Sequence, residues 1–261
     1  MQSIFPLTAA RVEEWSRRAE VLGVLLVGSK SRGHADALSD DDLEVLLTDE
    51  AHARLSPSEC IEWHAEGEGA TRRLIYDAQY APLSELERKV ESPRDLDHWP
   101  YERAGVLFDR DGRTRAAVEA AARMAGEFRR ARLRHAYIDA WVAARRAEKT
   151  TKRGMEAASH LLVARGAKAL SRLLFALEWR WVPLDHWLEP ELNSLSDESR
   201  AGEHLMEALV NGRQEPLLHA LDSLEDRLAA EGLPRADKRA ELFFELIHPA
   251  RAEERAVHGL N

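Results

Sequence analysis

Val24-Leu25-Leu26-Val27-Gly28-Ser29-Lys30-Ser31-Arg32-Gly33-His34, followed after a short gap by Leu38-Ser39-Asp40-Asp41-Asp42-Leu43-Glu44-Val45-Leu46-Leu47, is the stretch that decides the fold. It reads as a strand, a tight turn, a short helix and a second strand. The first apolar run, Gly23 to Val27, is broken by Gly28-Ser29, and Ser39 to Asp42 leads carboxylates into the second run, Leu43 to Leu47. Side chains two apart on an extended chain share a face, so Asp40 and Asp42 point one way and Asp41 the other. Two carboxylates roughly 6–7 Å apart along a strand suit a hard cation such as Mg²⁺. Gly28 has no side chain to keep a phosphate from the backbone, and the amide and hydroxyl of Ser29 can donate to phosphate oxygens. Together these features fit phosphoryl-type transfer. The plainer reading is a surface turn followed by a solvated acidic turn, since Asp is also a good turn and cap residue.

Taken in order, Gly28-Ser29, Arg32-Gly33 and Ser39-Asp40-x-Asp42-Leu43 resemble the signature of the nucleotidyltransferase superfamily of DNA polymerase β type. The nearest branch is that of the small bacterial enzymes, kanamycin nucleotidyltransferase and the minimal nucleotidyltransferases among them. The likeness covers about the first quarter of the chain. It implies an α+β fold: an N-terminal nucleotidyltransferase domain, a small mixed sheet with flanking helices, then an all-helical bundle, with the substrate in the cleft between them. It also implies Mg²⁺ held by Asp40, Asp42 and a third acid. A nucleoside triphosphate, ATP first, would lie at Gly28, Ser29, Lys30 and Arg32. Two residues depart from the pattern. Asp41 stands where an apolar residue is usual, and Glu44, on the face of Asp42, is either an extra acid near the metal or an edge residue. Lys30 and His34 could touch phosphate or be exposed turn residues.

The third acid is expected at Asp77. Arg72 to Tyr80 reads as a strand, with Leu74, Tyr76, Ala78 and Tyr80 on one face and Ile75, Asp77 and Gln79 on the other. Asp in mid-strand is disfavoured and needs a reason. The family carries a third carboxylate on a strand beside the Asp-x-Asp strand, where it assists the metal or acts as a base. Around this centre the sequence predicts a helix from about Ala9 to Leu22 capped by Thr8. Cys60 to Ala65 reads as a strand with Trp63 half-buried, Pro82 to Leu86 opens a short helix, Pro93 to Pro100 is irregular, and Ala104 to Phe108 is a further strand. The domain boundary is placed after Gly112, giving domains 1–112 and 113–261.

From Thr114 the periodicity is helical, and Ala116 to about Lys152 is either two helices or one kinked one. Arg113 to Arg153 holds twelve Lys and Arg against four acids, in a chain of net charge −9. Arg145, Lys149 and Lys152 share a helix face, either a solvated one or, if it looks into the cleft, a seat for the polyphosphate with Lys149 foremost. Met155 to Trp179 is strongly amphipathic.

The 261 residues allow one large domain or two small ones, and 44% hydrophobic residues are enough for a packed core. The net acidity argues against general nucleic-acid or membrane binding. The single cysteine, Cys60, excludes internal disulfides and a cysteine-rich zinc site. No apolar run approaches a membrane span and no signal pattern opens the chain, so a cytoplasmic protein is expected. The acceptor is a small molecule, an aminoglycoside-type cation being one that net acidity suits, or a protein, as in antitoxin-type enzymes. A relative that binds nucleotide without turnover is the non-enzymatic alternative. Base preference and oligomeric state stay open.

Overall fold

A computed structural model describes residues 4–260 and has the α+β architecture expected from the sequence. It divides into two compact units, Met1–Arg123 and Met124–Asn261. In the first, helix α1 (Pro6–Arg17) leads into β1 (Val21–Val27), α2 (Gly28–Arg32) and β2 (Asp41–Leu47). Then come α3 (Asp49–His52), β3 (Ile61–Glu66), β4 (Arg73–Pro82), α4 (Leu83–Arg88), β5 (Gly105–Asp109) and α5 (Arg113–Ala122). The strands form one sheet in the order β3-β4-β2-β1-β5. Its central strand, β2, runs antiparallel to β1 and parallel to β4.

The alternation expected of a sheet covered on both sides sets the core. Val24, Leu26, Leu43, Val45 and Leu47 pack with Trp15 of α1 on one face. Leu25 and Leu46 meet Leu83 and Leu86 of α4, Tyr101, and Ala117, Val118 and Ala121 of α5 on the other. Trp15 is fully buried and its indole N–H donates to the Tyr80 hydroxyl at 2.8 Å. That hydroxyl and the Tyr76 hydroxyl both donate to Glu62, each at 2.7 Å.

Local differences from the sequence reading have physical causes. Pro6, with its fixed φ and missing donor, opens α1 at its first position, so Thr8 lies inside the helix instead of capping it. The helix stops at Arg17, because Val21 and Leu22 are drawn into the sheet. Trp63, expected half-buried, points outward from the edge strand β3 and lies under Arg72, 5.1 Å from its ring. The first unit also runs past Gly112, since α5 covers the sheet instead of opening the bundle. A Cβ on Gly23 would meet the Thr114 hydroxyl at 2.2 Å, so only glycine lets the helix seat this closely.

The second unit is helical: α6 (Gly126–Thr151) and α7 (Glu156–Leu177) pack along each other, followed by α8 (Leu188–Leu192), α9 (Ala201–Asn211), α10 (Glu215–Ser223), α11 (Glu225–Ala230), α12 (Arg239–Leu246) and α13 (Ala252–His258). The long basic run is therefore two helices, parted where Arg123 and Ala125 are extended. Part of its positive excess serves the fold. Buried Arg129 donates to the carbonyls of Ala176 (2.6 Å) and Leu177 (3.2 Å) and pairs with Glu231, satisfying the end of α7. Among the described residues no helix is long and apolar enough to cross a membrane.

Candidate metal and nucleotide site

The site is built where β1 ends and β2 begins. Val27, the last residue of β1, pairs with Asp42, and the parallel register sets Asp42 beside Asp77 on β4. Residues paired in this way share a sheet face. Asp40, one residue before β2, joins them: one carboxylate oxygen from each of Asp40, Asp42 and Asp77 lies within 4.8 Å of the others. Opposite oxygens around one divalent ion stand about 4–5 Å apart, so three half-buried carboxylates this close fit Mg²⁺, Mn²⁺ or Ca²⁺. The approach to Asp40 is fixed by a turn in which the Asp36 carboxylate accepts from the Leu38 amide (2.8 Å) and the Ser39 hydroxyl (3.1 Å).

Gly28 closes the site from the β1 side. Its φ is +68°, and a Cβ there would come within 1.9 Å of the Asp42 Oδ2. Both facts require glycine, one for conformation and one for space. The Ser29 amide, next in the chain, donates to the Asp42 carboxylate.

Burial, then repulsion from Asp40, Asp77 and Asp41, pushes the Asp42 carboxyl up to about 7, opposed by the Ser29 amide. Asp77 is also raised, first by burial and then by Asp40. Burial is the larger source of both shifts, and repulsion between the clustered carboxylates adds to it. A divalent cation would reverse that logic by favouring every ionised form.

No protein-family model matches this chain, and no curated protein matches it. Among solved structures, it is similar to a nucleotidyltransferase-like protein from Exiguobacterium sibiricum 255-15, with a TM-score of 0.46 and 14% identity over 96% of this chain and 87% of that one.

Two of the other residues expected at the nucleotide are engaged in buried pairs within the first unit. Lys30 is buried on the α1 side of the sheet, its ammonium 2.7 Å from Asp41 and 3.4 Å from the Phe5 ring centroid. Arg32 is buried against Trp99, donating to its carbonyl at 2.8 Å and pairing with Glu102. Neither side chain is presented beside Gly28. The cause is the tight winding of α2, which sends residues two apart to different sides. Lys149 is exposed on α6, in the second unit.

Glu44 is not an edge residue, since β2 is the central strand. Its two oxygens accept from the Tyr101 hydroxyl at 3.0 and 2.9 Å, and Lys89 also donates to that hydroxyl. Burial raises the Glu44 carboxyl, with Lys89 and Tyr101 opposing. The sequence held one sign of this group, an acid inside an apolar strand. Its partners come from the stretch after α4, whose irregular composition hides the contact.

Proposed function

We propose that this protein is a divalent-cation-dependent nucleotidyltransferase, passing a nucleoside monophosphate from a nucleoside triphosphate to an acceptor hydroxyl with release of pyrophosphate. The observation that carries this reading is the convergence of Asp40, Asp42 and Asp77 on one sheet face against the side-chain-free Gly28. Asp40, Asp42 and Asp77 would hold Mg²⁺. When bound, the ion supplies neutralising charge for a polyphosphate and a fixed point for orienting it. Gly28 lets a phosphate approach the backbone, and the Ser29 amide and hydroxyl would donate to its oxygens.

Asp77, whose carboxylate stands with those of Asp40 and Asp42, is the general base. It takes the proton of the acceptor hydroxyl, whose oxygen forms the new bond to the α-phosphorus as the bond to pyrophosphate breaks. The acceptor is a small hydroxyl-bearing molecule. The chain's net charge of −9 favours a cationic one of aminoglycoside type.

Pyrophosphate release from ATP, GTP, CTP and UTP across a panel of hydroxylated acceptors tests the reading. Mg²⁺-dependent release that disappears in Asp42→Asn is the expected result. Equal release from wild type and Asp42→Asn would refute it.

A further inference from the structure

We infer that the buried Lys30–Asp41 ion pair is a positioning device: it sets the Gly28-Ser29 turn against the strand that carries Asp40 and Asp42. The inference deepens the nucleotidyltransferase reading and depends on it.

Asp41 sits between two members of the acid cluster but faces the opposite side of the sheet, where it is fully buried. Both of its oxygens are used. Oδ1 accepts from the Lys30 ammonium at 2.7 Å, and Oδ2 accepts from the Phe5 amide at 2.9 Å. Lys30 is only 6% exposed, and the Phe5 ring lies against its ammonium.

Stability alone gives no reason for this arrangement. Two charges taken out of water lose hydration, and an apolar pair of similar volume is commonly as stable or more so. An ion pair with both oxygens engaged does give direction. Lys30 directly follows Ser29, and Asp41 lies between Asp40 and Asp42, so this contact is a short link from the turn to the acid strand. It closes the loop whose tip, Leu38, is 87% exposed and contributes no packing of its own. Arg32 secures the far end of α2 through the Trp99 carbonyl and Glu102. Held on both sides, the turn is pressed so near Asp42 that no Cβ fits at Gly28, and the Ser29 amide reaches the Asp42 carboxylate. An apolar pair would fill the same space without fixing that approach.

The test is Mn²⁺ titration of the full chain by calorimetry, with thermal unfolding in parallel. The Lys30→Met, Asp41→Leu double variant is expected to unfold within a few degrees of wild type and to bind Mn²⁺ roughly 10- to 100-fold more weakly, as when groups that orient metal ligands are lost. Should it not fold, Lys30→Met with Asp41→Asn, which keeps an acceptor for the Phe5 amide, carries the same expectation. Lys30→Arg, which keeps the pair, should restore affinity to within a few-fold of wild type. A folded double variant with wild-type Mn²⁺ affinity overturns the inference and leaves the nucleotidyltransferase reading standing. A wild-type chain that binds no Mn²⁺, or an Asp42→Asn variant that binds it equally well, overturns both.

Discussion

Asp41 and Asp42 are neighbours in the chain, and the two faces of β2 treat them oppositely. On the α1 face Asp41 is fully buried, and a lysine and a backbone amide occupy its oxygens. On the other face Asp42 is half-buried among carboxylates, with the Ser29 amide opposing the rise of its pKa. The difference teaches that burial of an acid does not mark a functional site. A buried acid with its partners in place belongs to the fold; one crowded by its own kind calls for a cation.

The largest expected effect separates the two faces outright. Asp42→Asn should lower nucleotidyl transfer on the order of 10³-fold or more while the chain keeps its fold, as read by steady-state pyrophosphate release and circular dichroism. Unfolding of the variant at a much lower temperature than wild type would mean that Asp42 is as structural as Asp41.

Gly28→Ala comes next. The new methyl would collide with Asp42 at a backbone angle that costs about 1–3 kcal/mol for a side-chain-bearing residue. Mn²⁺ affinity and melting temperature should fall together, and a variant with both unchanged would show that the turn can move off Asp42.

The pH dependence sharpens the contrast. The Asp42 carboxyl is raised to about 7 in the folded chain, so the fold favours its protonated form. Its contribution to stability is full below the unfolded carboxyl value near about 4, declines as pH rises, and is lost above about 7. Without divalent cations, wild type should lose on the order of 5 °C between pH 5 and 8 relative to Asp42→Asn, measured by scanning fluorimetry. Mg²⁺ should restore the loss in wild type only. A wild-type profile parallel to that of the variant would remove the repulsion argument.

The smallest effect belongs to Glu44, a third case of a buried acid. Tyr101→Phe removes both of its contacts with the Tyr101 hydroxyl and should cost about 1–3 kcal/mol of stability without altering Mn²⁺ affinity. A large change in that affinity would place Glu44 with Asp42 instead of with the fold.

Period-two alternation made the central geometry legible in the sequence. It puts Asp40 and Asp42 on one face and Asp41 on the other, and an acid in mid-strand singled out Asp77. Composition could not show what the short helix α2 does with Lys30 and Arg32. Both carry charge in a turn, and both are drawn into buried pairs by residues 11 and 70 positions away. The outward turn of Trp63 was equally hidden. The neighbouring acid, Glu62, is the residue that faces inward, where Tyr76, Tyr80 and Arg11 satisfy it. Apolar pattern alone ranks these two the wrong way round.

The parallel pairing of Asp42 with Asp77 acts as a parity check on the chain. Shift β4 by a single residue and Tyr76 or Ala78 comes opposite Asp42, while Asp77 turns toward Trp15. Either error strands an acid in oil or leaves the acid cluster one member short. The loops on either side of β3 can thus change length, whereas within β4 ahead of Asp77 only insertions or deletions of even length keep the three carboxylates on one side.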